Sequence, residues 1–365
     1  MVNSNLTYLH RKKVILFLTL GLTIFGLVMI SSASVVTAAR DFSDPWHFVK
    51  LQGGWALLGL IGMFFAYRLP LSVIESQSRN IFLLGLVLLV AVLIPGLGIK
   101  LLGARRWLGV GGLTFQPAEL AKLILIIYLS RLLSLSQNQV MPFIASLAAY
   151  CLLVIFEPDL GTALVLAGVG VVMYWGSNQR LKHLILLLPA AMVILFIFII
   201  TSPYRLNRLK TYLDISHDPQ GASYQIRQAI LGLGSGGIFG LGLGQSRQKY
   251  EFLPEVTTDS IFAVVGEELG LVGTGLVLLA LLYLVHTGLE IARHTNKPQI
   301  TLLALGISSW IGIQSFLNIG ALTALLPLAG IPLPFISYGG SAIVTLLFAT
   351  GLLLKIAKEL SRLQY

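Results

Sequence analysis

Charge is scarce in this chain: Asp, Glu, Lys and Arg make up only 11% of its 365 residues, against roughly a quarter in a soluble domain. That scarcity excludes water as the main solvent, and 56% hydrophobic residues with a mean hydropathy of +0.86 say what replaces it. Cysteine is almost missing. The single Cys151 excludes an intramolecular disulfide and a cysteine metal site. The six histidines show no ligand spacing, so no metal centre is expected.

What is present is a series of apolar runs of about twenty residues, each long enough to cross a bilayer. Hydrocarbon cannot satisfy backbone polar groups, so such runs are helices or closed barrels, and continuous rather than alternating runs select helices. Arg11, Lys12 and Lys13 precede the first run, which is too long for a signal peptide's apolar core and reads as an uncleaved helix. The expected spans are Val14 to Thr37, Trp46 to Tyr67, Asn80 to Pro95, Pro117 to Leu133, Met141 to Phe156, Leu160 to Tyr174, Leu184 to Ser202, Asp259 to Ile291, Gln299 to Leu325 and Ser337 to Ala357. The expected fold class is therefore an all-α integral membrane protein of about ten transmembrane helices, one domain over residues 1–365, without internal repeats. Arg68, Arg79, Arg131, Arg180, Lys182, Arg293, Lys297, Lys355 and Lys358 gather on the face that also holds both termini, and the positive-inside rule makes that face cytoplasmic.

The opposite face carries basic residues that work against this rule. Lys100, Arg105 and Arg106 crowd the loop after the third span, and a large, partly helical extracytoplasmic loop over 203–258, between helices 7 and 8, adds Arg205, Arg208, Lys210, Arg227, Arg247 and Lys249. Either they are merely solvated or they hold an anion, since guanidinium forks suit phosphate oxygens.

Four motifs stand out from the apolar background. Glu119 and Lys122, three apart after Pro117, can pair on one helix face, as a structural ion pair or as functional intramembrane charges. Glu157, Pro158 and Asp159 separate two runs with almost no loop; Asp159 suits a helix N-terminus. The glycine-rich stretch from Gly232 to Gln245 could cradle phosphate through backbone amides, or serve close packing or a hinge; no strand precedes it, so a dinucleotide fingerprint is unsupported. The segment from Lys249 to Ala263 ends at Asp259, where the basic loop meets a long apolar helix. Asp259 either caps that helix, with a lowered pKa, or sits in apolar surroundings as a general base. Glu267 and Glu268 lie roughly 12 Å further along the same helix.

These motifs resemble, in one order along nearly the whole chain, those of the SEDS family (shape, elongation, division, sporulation), the FtsW and RodA peptidoglycan polymerases. The match runs from Ser31 through Arg105, Arg106 and Trp107, Gln116 to Lys122, Glu157 to Ala163, Tyr224 and Gln225, the glycine stretch, Leu253 to Glu255, Thr258 and Asp259, Glu267 to Gly270, and Pro332 to Ser341. The Ser31 segment and residues 220–248 look more like the division member; Gly330 to Pro332 leans toward the elongation member. Where the family usually has His and Phe this chain has Thr257 and Ser260, so any role of a neighbouring histidine is lost.

The resemblance implies a peptidoglycan glycosyltransferase that polymerises lipid II at the outer face of a bacterial cytoplasmic membrane, during septal wall synthesis. Asp259, Glu119 and Lys122 become the catalytic candidates, and Arg105, Arg106, Arg205, Arg208, Gln225, Glu255 and Thr258 the substrate-binding ones. Expected partners are lipid II, the growing glycan strand, a class B penicillin-binding protein and other divisome membrane proteins, with no nucleic acid. No cofactor is demanded, although a divalent cation, magnesium or manganese, could sit at the pyrophosphate. A lipid II flippase would use the same cationic cavity but needs polar residues reaching the cytoplasmic side, and few appear. A scaffold would leave the outer basic clusters without a task.

Overall fold

The computed structural model describes residues 2–101, 104–110, 113–135, 139–180, 182–183, 193, 196–198, 200–201, 203–214, 221–250 and 253–362. Eleven helices and three short strands are seen among these: α1 (Val2–Phe42), α2 (His47–Arg68), α3 (Leu71–Leu93), β1 (Gly98–Leu101), β2 (Ala104–Val110), β3 (Leu113–Phe115), α4 (Pro117–Ser134), α5 (Val140–Phe156), α6 (Leu160–Trp175), α7 (Pro203–Leu213), α8 (Ala222–Ser235), α9 (Ile261–Arg293), α10 (Pro298–Leu322) and α11 (Gly340–Arg362). Six helices (α1 from His10, α2, α3, α9, α10 and α11) are long and apolar enough to cross a membrane, and α5 and α6 are shorter apolar helices. The seventh expected span, residues 184–202, lies largely outside the described residues.

Large apolar side chains such as Phe17, Leu57, Phe65 and Leu279 are more than half exposed, a surface that only lipid tolerates in such number. At the centre stand α4 and α11, buried on nearly all sides. Small residues let the helices close up: a Cβ on Gly59 of α2 would come within 2.6 Å of Leu347 of α11, the close backbone approach that lipid-embedded helices use.

Two local features position the site. The loop after α3 folds as an antiparallel sheet in the order β1-β2-β3, pairing Ile99 with Trp107 and Leu108 with Phe115. This sheet departs from a purely α reading: strands of four, seven and three residues leave no period that a search for twenty-residue spans would register. It delivers the chain directly to Pro117 at the first turn of α4, where a missing N–H costs nothing. The second feature is a break inside α9 at Gly270 (φ 64°, ψ −161°), a conformation essentially confined to glycine. The glycine stretch packs into that break: Leu241 N donates to Glu267 O at 2.9 Å and Gly242 N to Glu268 O at 3.0 Å. A Cβ on Gly240 or Gly270 would collide with the facing backbone. The stretch is thus used for close packing; beside it the Arg247 main-chain N–H donates to Glu267 Oε1 at 3.0 Å and the Lys249 ammonium donates to Gly244 O.

Candidate functional site

A cavity of about 650 Å³ opens where α4, α6, α9 and α11 begin, and Arg106, Glu119, Asp159, Arg205, Arg208, Glu255, Thr258 and Asp259 all line it. The N-terminal ends of four helices therefore border one space, and their positive dipole ends favour an anion there.

Three arginines reach the cavity from two elements, each anchored through main-chain carbonyls. Arg106, on β2, donates Nε to Glu157 O at 3.0 Å and also bonds Pro158 O. Arg205 and Arg208, one turn apart on α7, donate to Ile155 O at 3.0 Å and Leu328 O at 2.9 Å. Burial and the like charge of Arg106 lower the pKa of Arg205, yet a guanidinium stays charged in proteins. Like charges held together by carbonyls suit a polyanion.

Asp259 sits opposite them. The N-cap of α9 is Ser260, so Asp259 does not cap the helix. Its carboxylate has a side-chain hydrogen bond from Gln225, and the Thr258 hydroxyl oxygen lies 3.5 Å away. Burial first, and then the Glu255 carboxylate, push its pKa up to about 7 against the opposing Arg208. Asp259 thus does not cap the helix, and its pKa is raised, not lowered, in surroundings that include charged and polar groups. Gly330 (φ +65°) keeps the gap open: a Cβ there would lie 3.5 Å from Arg208 Nη1 and 3.8 Å from Asp259 Oδ2. Thr258 Oγ1 donates to Glu255 at 2.8 Å, which orients that second carboxylate.

Glu119 forms the cavity's inner wall. Lys122 Nζ donates to Glu119 Oε1 and to Gln314 Oε1, both at 2.8 Å, and lies 5.2 Å from the Trp310 ring centre. Both charges are 2% exposed, a pair that depends on such full coordination. Glu119 Oε2 is buried with no hydrogen-bond partner among the described residues. Asp159 caps α6 through Thr162 N at 3.0 Å and Thr162 Oγ1 at 2.9 Å, so it is both cap and lining.

Not every candidate from the sequence reaches the cavity. Arg105 alternates with Arg106 across β2 and is not among the lining residues. Gln225 is buried on α8 and does not line the cavity, but it donates to Ser260 Oγ at 3.0 Å and to the Asp259 carboxylate. Lys122 acts only through Glu119 and Gln314. The structure adds Trp55, Trp107, Gln116, Tyr338 and Ser341 to the lining, and Ser341 Oγ accepts from Gln116 N at 2.9 Å.

The model of the FtsW/RodA/SpoVE family, described as cell cycle protein, matches residues 12–362. The chain belongs to this family. A relative from Geobacter sulfurreducens, "Probable peptidoglycan glycosyltransferase FtsW", is 40% identical over 354 residues, 95% of either chain. Stage V sporulation protein E of Bacillus subtilis is 38% identical over 351 residues, 94% of this chain and 96% of its own. Among solved structures, one from a peptidoglycan synthase complex that coordinates polymerization and crosslinking superposes with a TM-score of 0.78 at 25% identity, covering 95% and 97% of the two chains. The rod shape determining protein RodA of Thermus thermophilus gives 0.70 at 26% identity, covering 94% and 96%. FtsW/RodA membership makes the chain a multi-pass helical membrane protein.

Proposed function

We propose that this protein is a peptidoglycan glycosyltransferase that polymerises lipid II at the outer face of the bacterial cytoplasmic membrane, in its division role. The observation that carries this reading is the meeting of a half-buried Asp259 with three arginines and four helix N-termini in one cavity. The names of the FtsW relatives support the activity and the septal role.

The donor disaccharide is activated by a polyprenyl pyrophosphate, so a base and an anion hole suffice. Asp259 removes the proton of the acceptor's 4-hydroxyl, and that oxygen attacks the anomeric carbon of the growing strand with inversion. The bond from that carbon to the pyrophosphate breaks, and the departing anion stays with Arg106, Arg205, Arg208 and the helix N-termini. Glu255 keeps Asp259 basic by repelling its charge, and Thr258 orients Glu255. Glu119, held by Lys122, positions the acceptor. Trp310 and Lys122 fill the floor beneath, which suits chemistry at one face better than passage through the bilayer. A divalent cation on the pyrophosphate would find Glu255 and Asp259; among the described residues no cluster of three such ligands exists.

The basic residues then place both termini in the cytoplasm and the cavity outside, after ten crossings. A class B penicillin-binding protein is the partner that a polymerase of this kind needs for crosslinking, alongside other divisome membrane proteins. Polymerisation of purified lipid II with that partner added tests the reading: wild-type protein makes polymer and Asp259→Ala, equally folded, makes none. Equal polymer from both removes Asp259 as the base; none from either, with the partner bound, turns the reading to a flippase or scaffold.

A further inference from the structure

Two polar side chains one turn apart on α10, Gln314 and Asn318, are 0% and 2% exposed. The Asn318 amide nitrogen donates to two main-chain carbonyls at once, Asp259 O and Ile331 O, both at 2.8 Å. Gln314 donates Nε2 to Pro332 O at 2.8 Å, while its Oε1 accepts from Lys122 Nζ and from Trp310 Nε1 at 2.7 Å. Both amides therefore hold the same short segment, which also receives Arg208 at Leu328 O and sets Gly330 beside Asp259. Packing alone does not account for an amide at 318, because Asn318 Oδ1 is buried with no donor among the described residues. A leucine would fill similar space without that cost. What asparagine supplies is two N–H groups aimed at two carbonyls.

We propose that Asn318 is a positioning residue for the base. Its amide fixes the Asp259 main chain against the 328–332 segment, and Gln314 ties Lys122, and through it Glu119, to that same segment. α10 thus sets the separation of the two carboxylates across the cavity, with its own turn of about 6 Å as the ruler. The inference rests on the reading of Asp259 as the general base.

The test is Asn318→Leu, measured beside wild type for polymerisation rate from about pH 5 to about pH 9, lipid II retention and thermal unfolding. Asp259 is faced by Glu255 from its own loop, Arg205 and Arg208 from α7, Arg106 from β2, Glu119 from α4 and Asp159 from the α5–α6 turn. Releasing the clamp loosens the burial of Asp259 and its approach to Glu255, so the acid limb of the rate moves to lower pH while the plateau falls about 10- to 100-fold. Lipid II retention stays within about twofold, because the arginine anchors are untouched. A merely structural role would lower the rate in proportion to folded protein and leave the limb in place, and that result overturns the proposal. If Asn318→Leu does not fold, Asn318→Ala removes both donors with a smaller side chain and is held to the same criteria. Wild-type protein that makes no polymer overturns the functional reading; an active wild type with an unmoved limb in the variant overturns the positioning role alone.

Discussion

Two sets of carboxylates stand at either end of the first two turns of α9, and they are treated in opposite ways. Glu267 receives Ser246 Oγ, Arg247 N at 3.0 Å and Gln248 N at 3.2 Å, and Glu268 receives Ser32 Oγ at 2.6 Å and Ser246 N at 3.2 Å. Asp259, just before the helix, has one side-chain amide donor in Gln225, a neighbouring carboxylate and an open cavity. Glu267 and Glu268 are buried among donors, whereas burial and the Glu255 charge outweigh the donors at Asp259 and leave it free to move a proton.

The comparison breaks most sharply if the two ends exchange behaviour. Asp259→Asn is expected to cut polymerisation by at least about 100-fold while leaving the unfolding temperature in detergent unchanged. Glu267→Ala should do the reverse. It strands three donors at about 1–3 kcal/mol each, so it lowers stability by about 3 kcal/mol or more in denaturant titration, with lipid II retention preserved in the folded fraction. Arg208→Glu sharpens the view from the anion's side. Losing a charge-assisted contact weakens lipid II binding by about tenfold or more, measured by retention on the immobilised protein; unchanged binding would remove Arg208 from the site.

The smallest effect concerns Glu157, fully buried at the α5–α6 turn with both oxygens lacking partners among the described residues. Burial and then Asp159 push its pKa from 4.5 up to about 9, against Arg106. A carboxyl whose folded pKa is raised is protonated at neutral pH, and its burial costs more stability as pH climbs from the unfolded value toward the folded one. Glu157→Gln should therefore unfold with wild type near pH 4.5 and at a modestly higher temperature near pH 8.

Much of this was legible before the structure. Apolar runs mark the spans because hydrocarbon permits little else, and Asp259, Glu119, Arg106, Arg205 and Arg208 stand out because charge is rare here. Their meeting in one cavity was not legible, since it depends on how α4, α7, α9 and β2 pack over long sequence separations. Arg105 and Arg106 look alike in sequence; only the alternation of β2, itself invisible in so short a hairpin, separates them. Trp55 carries no local signal inside its apolar run. Gln314 and Asn318 do carry one: two amides four apart share a face of a membrane-spanning helix, and lipid would not accept them.

The most direct test of Asp259 as a base poised by burial and Glu255 is the pH dependence of polymerisation by the wild-type protein with its transpeptidase partner. The account predicts a rate that rises through an acid limb near pH 7, where Asp259 ionises, and a limb moved toward lower pH in Glu255→Gln, which removes the repelling charge. A wild-type rate flat from about pH 5 to about pH 8, or a limb indifferent to Glu255, would contradict it.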